Sequence, residues 1–280
     1  MELPAGLYLV ATPIGNLRDM TLRAIDVLAQ ANIVLCEDTR VTGKLLKAHD
    51  IKAKMQSYND HNADRQRGQI IETITAGKAI ALVSDAGMPL ISDPGYKLVR
   101  DCIDLGLMVT TLPGANAVLS ALQLSGLPSD KFSFLGFLPS KTAARKTVLN
   151  EWKDVPSTLI TYEGASRLVG SLSDMLAVLG DRPAAVVREI TKMFEESRTA
   201  SLSQLVAYYI DAGAPKGEIV IVIAPPKIKE YDDAALGKEL TAALRTMRVK
   251  DAAAHVAEIT GVSKSILYQM ALDINDKNKE

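Results

Sequence analysis

The chain predicts an α/β protein: two α/β domains followed by a small C-terminal helical unit. Its 280 residues suffice for two domains and an appendage. Three observations carry this expectation. Short apolar runs alternate with segments whose apolar residues recur at helical spacing, which argues for a mainly parallel sheet with helices on both faces. The stretch Gly126-Leu127-Pro128-Ser129-Asp130 breaks that alternation, and strand signals beyond it are closely spaced and β-branched, as in a mixed sheet. From Leu240 to Leu272 only helical periodicity remains.

Taken in order, Leu7 to Ala11 is a strand ending in Thr12-Pro13-Ile14-Gly15-Asn16, and Leu22, Ile25, Leu28 and Ala29 mark the helix after it. Ile33 to Cys36 is a second strand ending in Glu37-Asp38-Thr39-Arg40, followed by a short helix carrying Val41, Leu45 and Leu46. The polar stretch Gln56 to Gln69 reads as an exposed loop. Ile70, Ile71 and Ile74 form the next helical stripe, before the strand Ala79 to Val83. Leu98, Val99, Cys102 and Ile103 make another helix, and Met108 to Leu112 another strand. Pro113-Gly114-Ala115-Asn116-Ala117 then opens a small-residue helix to about Leu124. Past the break, strands are expected near Ser133–Leu135, Thr158–Thr161, Ala184–Arg188 and Glu218–Ile223, with helices around Thr142–Trp152, Ser166–Leu179 and Ser201–Ala212. The expected domains are 1–125, 126–226 and 227–280, with Ala224-Pro225-Pro226 and the charged run Lys227 to Asp233 as linker.

Within the tail, Ala257 and Gly261 stand four apart, with Val256, Val262, Leu267 and Met270 around them. That spacing resembles a helix-turn-helix: a small residue where helices touch, then a glycine free to take positive φ. Ser263 is placed to cap the second helix, leaving Lys264, Ser265, Tyr268 and Gln269 exposed toward nucleic acid. A plain helical hairpin packing on the core or a partner is the alternative.

Composition narrows the function classes. With 48% hydrophobic and 23% charged residues and a net charge of -1, no global field draws the chain to nucleic acid, so any such contact rests on a local patch. Cys36 and Cys102 lie in apolar runs without a CxxC pair and are expected to be buried thiols in a reducing cytosol. Three scattered histidines offer no ligand spacing, so no metal site is expected. No apolar run reaches the ~18 residues of a membrane span, and the N-terminus lacks a basic region followed by an apolar core. A cytoplasmic protein without a membrane partner is therefore expected.

The chemistry concentrates in three strand-to-helix turns: Thr12 to Asn16, Ser84 to Met88, and Pro113 to Ala117. The most telling lies in Val83-Ser84-Asp85-Ala86-Gly87-Met88-Pro89-Leu90-Ile91-Ser92-Asp93-Pro94-Gly95. Ligands of open α/β sheets sit beyond the carboxyl ends of the strands. These turns together would form one rim lined by backbone N–H and C=O groups. Neither GxGxxG nor GxxxxGK[ST] occurs, so nicotinamide and nucleoside-triphosphate sites lose their motifs.

Read in order, Val10 to Leu17, Glu37 to Arg40, Val83 to Gly95, Leu112-Pro113-Gly114, Gly126 to Asp130, Tyr162-Glu163, Arg188 to Lys192 and Lys216-Gly217-Glu218 resemble the tetrapyrrole methylase superfamily, and within it the branch that modifies ribosomal RNA. The likeness covers almost the whole chain. It implies S-adenosylmethionine bound in a cleft between the two α/β domains, a homodimer, and methyl transfer to the 2′-hydroxyl of a cytidine in the decoding centre of 16S ribosomal RNA in the small ribosomal subunit. Carried over by motif, the cofactor residues are Pro13, Ser84, Asp85, Ala86, Gly87, Met88, Asn116, Ala117, Tyr162 and Glu163. Met88 replaces a common Thr, Ala115-Asn116 stands where a second Pro is common, and Tyr162-Glu163-Gly164-Ala165-Ser166-Arg167 lacks the Ser that usually follows Tyr-Glu and the His that usually precedes Arg.

Methyl transfer to a ribose hydroxyl needs in-line alignment, exclusion of water, and either a proton acceptor or stabilisation of the developing charge. The charged pairs nearest the motifs supply the catalytic candidates: Glu37, Asp38, Arg40, Glu163, Glu189 and Lys192. A cap and ion-pair network is the alternative for Glu37, Asp38 and Arg40, and a solvated ion pair with Glu189 the alternative for Arg188 and Lys192. Two rival functions stay open: a methylase of a tetrapyrrole or other small molecule, and a non-enzymatic nucleic-acid-binding regulator.

Overall fold

A computed structural model describes residues 3–227 and 232–277. The first sheet comprises β1 (Gly6–Val10), β2 (Ile33–Cys36), β3 (Met55–Ser57), β4 (Ala79–Val83) and β5 (Val109–Leu112), ordered β3-β2-β4-β1-β5. All its pairings are parallel. β4 is buried along its whole length, as its unbroken apolar run requires in a sheet covered on both faces. The chain leaves β1 toward β2 on one side and leaves β4 toward β5 on the other. Two neighbouring strand ends thus send their loops in opposite directions, which opens a crevice at their carboxyl ends.

The polar stretch Gln56 to Gln69 is not a loop throughout. Its start belongs to β3, and α3 spans Ala63–Thr75. β3 is an edge strand with one neighbour, so it forms without apolar alternation. Between them, Asn62 Oδ1 accepts the Asn59 N–H at 2.9 Å and Asn59 Oδ1 accepts the His61 N–H at 3.2 Å, a side-chain-closed turn.

The second sheet is mixed, as expected: β6 (Phe132–Phe137), β7 (Thr158–Gly164), β8 (Pro183–Arg188), β9 (Glu196–Ser201) and β10 (Glu218–Ile223), ordered β6-β7-β10-β8-β9. Only β6 and β7 pair in parallel. One face buries Leu159, Val186, Ile219 and Ile221 under α6 (Thr142–Trp152), α7 (Leu168–Leu179) and α8 (Leu202–Ala212). The other face, with Ile160, Val187, Val220 and Val222, packs on α5 (Ala117–Ser125) and on Ile14. Helix α5 follows the first sheet in sequence and packs against the second. Cys36 and Cys102 are both free and buried, and burial pushes the Cys102 thiol up to about 11.

The chain divides into two compact units at Pro226. The second unit is three helices, α9 (Asp233–Leu244), α10 (Val249–Thr260) and α11 (Lys264–Lys277), around Leu240, Ala252, Ala253, Val256, Leu267 and Ala271. Of the expected linker run Lys227 to Asp233, residues 228–231 lie outside the described residues, and helix already begins at Asp233. Asp232 starts it by accepting the Ala235 N–H at 2.7 Å. Gly261 closes α10 at φ 72°, the left-handed turn its spacing predicted. The Ser263 carbonyl accepts the Leu267 N–H at 3.1 Å, while its hydroxyl meets that of Ser265 at 2.9 Å. Lys264, Ser265, Tyr268 and Gln269 are exposed. No helix among the described residues is long and apolar enough to cross a membrane.

Candidate active site

The loops after β1 and β4 are stitched together. Thr12 and Gly87 exchange backbone hydrogen bonds of 2.8 and 3.0 Å, and the Thr12 hydroxyl donates to the Ser84 carbonyl at 3.2 Å. Gly87 takes φ +83°, a conformation few side chains tolerate. The third turn closes on the first, since a Cβ on Gly114 would lie 2.8 Å from that of Ala11. The three turns therefore form one rim, with backbone where side chains would otherwise stand.

Between this rim and the second sheet lies a cavity of about 350 Å³. Ile14, Ala86 and Ala117 line it from the rim, and Phe137, Tyr162 and Ile190 from the opposite side. The Tyr162 ring is held by Phe134 and Phe137, with centroids at 4.9 and 5.3 Å. Burial first, then the nearby Asp93 and Glu218 carboxylates, push its phenol up to about 12, so it stays protonated and can donate.

The structure sorts the cofactor candidates into three groups. Ala86, Ala117, Tyr162 and the strand at Glu163 border the cavity. Pro13, Ser84, Gly87, Met88 and Asn116 shape its rim: Pro13, Ser84 and Gly87 are buried, Met88 is half-buried, and Asn116 caps α5 by accepting the Leu119 N–H at 3.0 Å. Asp85 turns instead into a polar cleft with Glu37, Asp38, Arg40, Asn59 and His61. The Glu163 carboxylate sits on the α7 side of the sheet, at 2.7 Å from both Arg167 Nη2 and the Gly164 N–H and bonded to the Ser171 hydroxyl.

In the polar cleft, Asp85 Oδ1 accepts the Asp38 N–H at 3.1 Å. Asp38 caps α2 (Thr39–Ala48) through the Arg40 N–H at 2.8 Å and grips the Arg40 guanidinium at 2.6 Å. Those hydrogen bonds hold its carboxyl down to about 2, which makes it a weak proton acceptor. Asp38 and Arg40 thus form the cap and ion pair given above as the alternative. Glu37 differs: desolvation and then repulsion from Asp85, Asp60 and Asp38 raise its carboxyl.

Across the cavity, Lys192 Nζ reaches Glu189 Oε1 at 2.9 Å and Glu218 Oε2 at 3.0 Å. Desolvation lowers the ammonium, but the hydrogen bonds to both carboxylates outweigh it and leave it raised, so Lys192 is a fixed cation and not a base. The same Lys192 bond pulls the Glu189 carboxyl down. Non-glycine residues at positive φ cluster here: Leu90 and Ser92 in one bordering loop, Glu189 and Thr191 in another. Backbone strain of this kind persists where the surroundings over-determine a conformation, and it gathers at sites of function.

Sequence reasoning missed Asp93, Phe137, Ile190 and Glu218, all on the cavity wall. Asp93 sits in an Asp-Pro-Gly turn, where a carboxylate reads as a turn former. The others come from the second sheet and the loop after β8, and only the fold brings them opposite the rim.

Two sheets enclosing a loop-lined cleft define a class. Residues 6–206 match the family described as tetrapyrrole (corrin/porphyrin) methylases, and residues 230–275 match the RsmI C-terminal HTH domain. Solved structures agree in fold: a diphthine synthase at TM-score 0.60 and 13% identity covers 78% of this chain and 89% of its own, and a uroporphyrin-III C-methyltransferase from Thermus thermophilus at 0.54 and 22% covers 78% and 96%. Ribosomal RNA small subunit methyltransferase I of Mesorhizobium japonicum is 46% identical across 100% of this chain and 97% of its own, and that of Erythrobacter litoralis is 50% identical across 97% and 96%. The chain belongs to the tetrapyrrole methylase family and, within it, to the ribosomal RNA small subunit methyltransferase I group.

Proposed function

We propose that this chain transfers a methyl group from S-adenosylmethionine to the 2′-hydroxyl of a cytidine in the decoding centre of 16S ribosomal RNA. The full-length likeness to small-subunit methyltransferases carries the reading, and the cavity is compatible with it. Its volume lies within the ~300–1,000 Å³ of small-molecule sites. Ile14, Ile190 and Phe137 give apolar walls, and the glycine-stripped rim offers main-chain donors and acceptors. Bound there, the donor supplies an electrophilic methyl on a cationic sulfur. Ala86, Ala117 and Tyr162 would hold it, with Pro13, Ser84, Gly87, Met88 and Asn116 fixing the rim. The chain's own task is alignment and exclusion of water.

The test is transfer of labelled methyl to small ribosomal subunits lacking the modification, followed by nuclease mapping. One 2′-O-methyl cytidine in the decoding centre is the expected result. Donor binding without RNA methylation would move the reading to a small-molecule methylase, and no donor binding would leave a regulator.

Asp85→Ala removes the acceptor of the Asp38 N–H and frees the Glu37–Arg40 loop, a loss of about 1–3 kcal/mol for a hydrogen bond of this kind. Asp85 itself faces the polar cleft, so affinity for S-adenosylhomocysteine, read by calorimetry, is expected to fall through displacement of the turn that sets Ser84 and Ala86 on the rim. An unchanged affinity takes Asp85 out of the site. Ending the chain after Pro226 should keep donor binding and weaken RNA binding, because Lys264, Ser265, Tyr268 and Gln269 supply the local patch that a net charge of -1 makes necessary. Equal RNA affinity would make the helical unit structural only. The proposal includes a cytoplasmic homodimer. Met193 and Phe194, 90% and 66% exposed, precede β9, and α5 presents Leu119 and Leu124. Sedimentation gives the oligomeric state, and a monomer at micromolar concentration would refute that part.

A further inference from the structure

Three carboxylate residues border the cavity: Asp93, Glu163 and Glu218. Glu163 is consumed by Arg167, Ser171 and the Gly164 N–H. Glu218 is paired with Lys192 at 3.0 Å. Asp93 has no ion-pair partner among the described residues, and Lys97, which lines a second pocket with it, is committed to Asp64 at 3.0 Å.

The loop fixes Asp93 in place. Leu90 and Ser92 stand at φ 74° and 68°, and Gly95 at φ +130° is pressed so close to Leu82 that a Cβ would lie 2.8 Å from it. Helix α4 (Tyr96–Asp104) starts directly after. The side chain is half-buried, on the wall of the apolar cavity on one side and beside Tyr58, Asp60, Asp64 and Lys97 on the other. Glu37 follows β2, Asp85 and the Ser84 hydroxyl follow β4, and Asp60 precedes α3; these act on Asp93, which in turn acts on the Tyr162 phenol of β7.

We propose that Asp93 is the group that takes the proton from the attacking ribose 2′-hydroxyl. The assignment rests on the methyl-transfer reading above. The oxygen–methyl bond forms as the sulfur–methyl bond breaks, the bonding pair stays on sulfur to give a neutral thioether, and the hydroxyl proton passes to the Asp93 carboxylate. Burial, ahead of repulsion from Glu37, Asp85 and Asp60 and against the Ser84 hydroxyl, lifts this carboxyl to about 6. Such a base is stronger than a solvated aspartate and still ionised at neutral pH.

The test is single-turnover methyl transfer to unmodified small subunits from pH 5 to 8.5, with S-adenosylhomocysteine affinity measured in parallel. The unaltered protein should gain rate through pH 6 and level off, because the ionised form is the acceptor. Asp93→Asn should bind S-adenosylhomocysteine and RNA normally, transfer methyl ~10²–10⁴-fold more slowly, and lose the acidic limb. Asp93→Glu should recover part of the rate together with the limb. Asp93→Ser replaces the Asn variant should that one unfold. In the protein alone, the carboxyl-carbon resonance that disappears in Asp93→Asn should titrate near 6. Wild-type rate in Asp93→Asn, loss of S-adenosylhomocysteine affinity equal to the loss of rate, or disappearance of the limb in Glu37→Gln instead would overturn the assignment. No transfer by the unaltered protein would overturn the underlying reading, and this assignment with it.

Discussion

Glu163→Ala is expected to destabilise the fold by about 2–4 kcal/mol, because the Ser171 hydroxyl and the Gly164 N–H both lose their acceptor at ~1–3 kcal/mol for a buried group. For a unit of this size that is a fall in Tm of roughly 10 °C. The Glu163 side chain is 1% exposed and sits mid-sheet on β7, between β6 and β10. Its two oxygens satisfy Arg167, the Gly164 N–H and the fully buried Ser171 hydroxyl. Alanine leaves the last two without acceptors, and buried polar groups left unmade carry a desolvation penalty. Arg167, 32% exposed, turns to solvent and limits the loss. Glu163→Gln keeps the shape and one acceptor oxygen, so it should cost markedly less. Denaturant unfolding of the three proteins at constant m-value measures the difference. A shared midpoint would show that the carboxylate is dispensable.

What the residues revealed, and what they hid, follows from where each element sits. Central strands such as β2 and β4, and β10 after Glu218, are unbroken apolar runs because helices cover both faces of their sheets, and composition makes them legible. The edge strands β3 and β9, Met-Gln-Ser and Glu-Ser-Arg-Thr-Ala-Ser, bury little and pair through backbone, so no side-chain pattern announces them. The rim was legible for a different reason. Gly87, Gly114 and Pro13 are local turn chemistry, and their meaning does not depend on distant residues. Asp93 was hidden inside such a turn. Its isolation from cations exists only because β7, β10 and the 189–192 loop bring Glu163 and Glu218 alongside with partners of their own.

Gly15→Val is expected to weaken S-adenosylhomocysteine binding ~10²-fold, the scale set by an ångström of misplacement in a preorganised site. A Cβ at position 15 would lie 2.5 Å from Lys192 Cγ, 2.9 Å from the Ile190 carbonyl oxygen and 2.9 Å from Thr191 Oγ1. The lysine stem can swing away, but the carbonyl cannot move alone. Thr191 already stands at φ 66°, and the segment is pinned by the Glu189 N–H to the Glu218 carbonyl at 3.1 Å and the Lys192 N–H to the Glu189 carbonyl at 3.0 Å. The remaining response is for the loop of Ile14 and the loop of Ile190 to part, and both residues line the cavity. Overpacking of this kind costs roughly 1–3 kcal/mol, well short of unfolding a unit this size, so the damage falls on geometry more than on stability. Gly68→Ala is the matching control: nothing lies within 4 Å of its added Cβ inside α3, and alanine there should stabilise by about 0.5–1 kcal/mol. Calorimetric titration with S-adenosylhomocysteine and denaturant unfolding of both variants separate the two effects. Full affinity in Gly15→Val would mean that the contact between these loops does not set the width of the donor site.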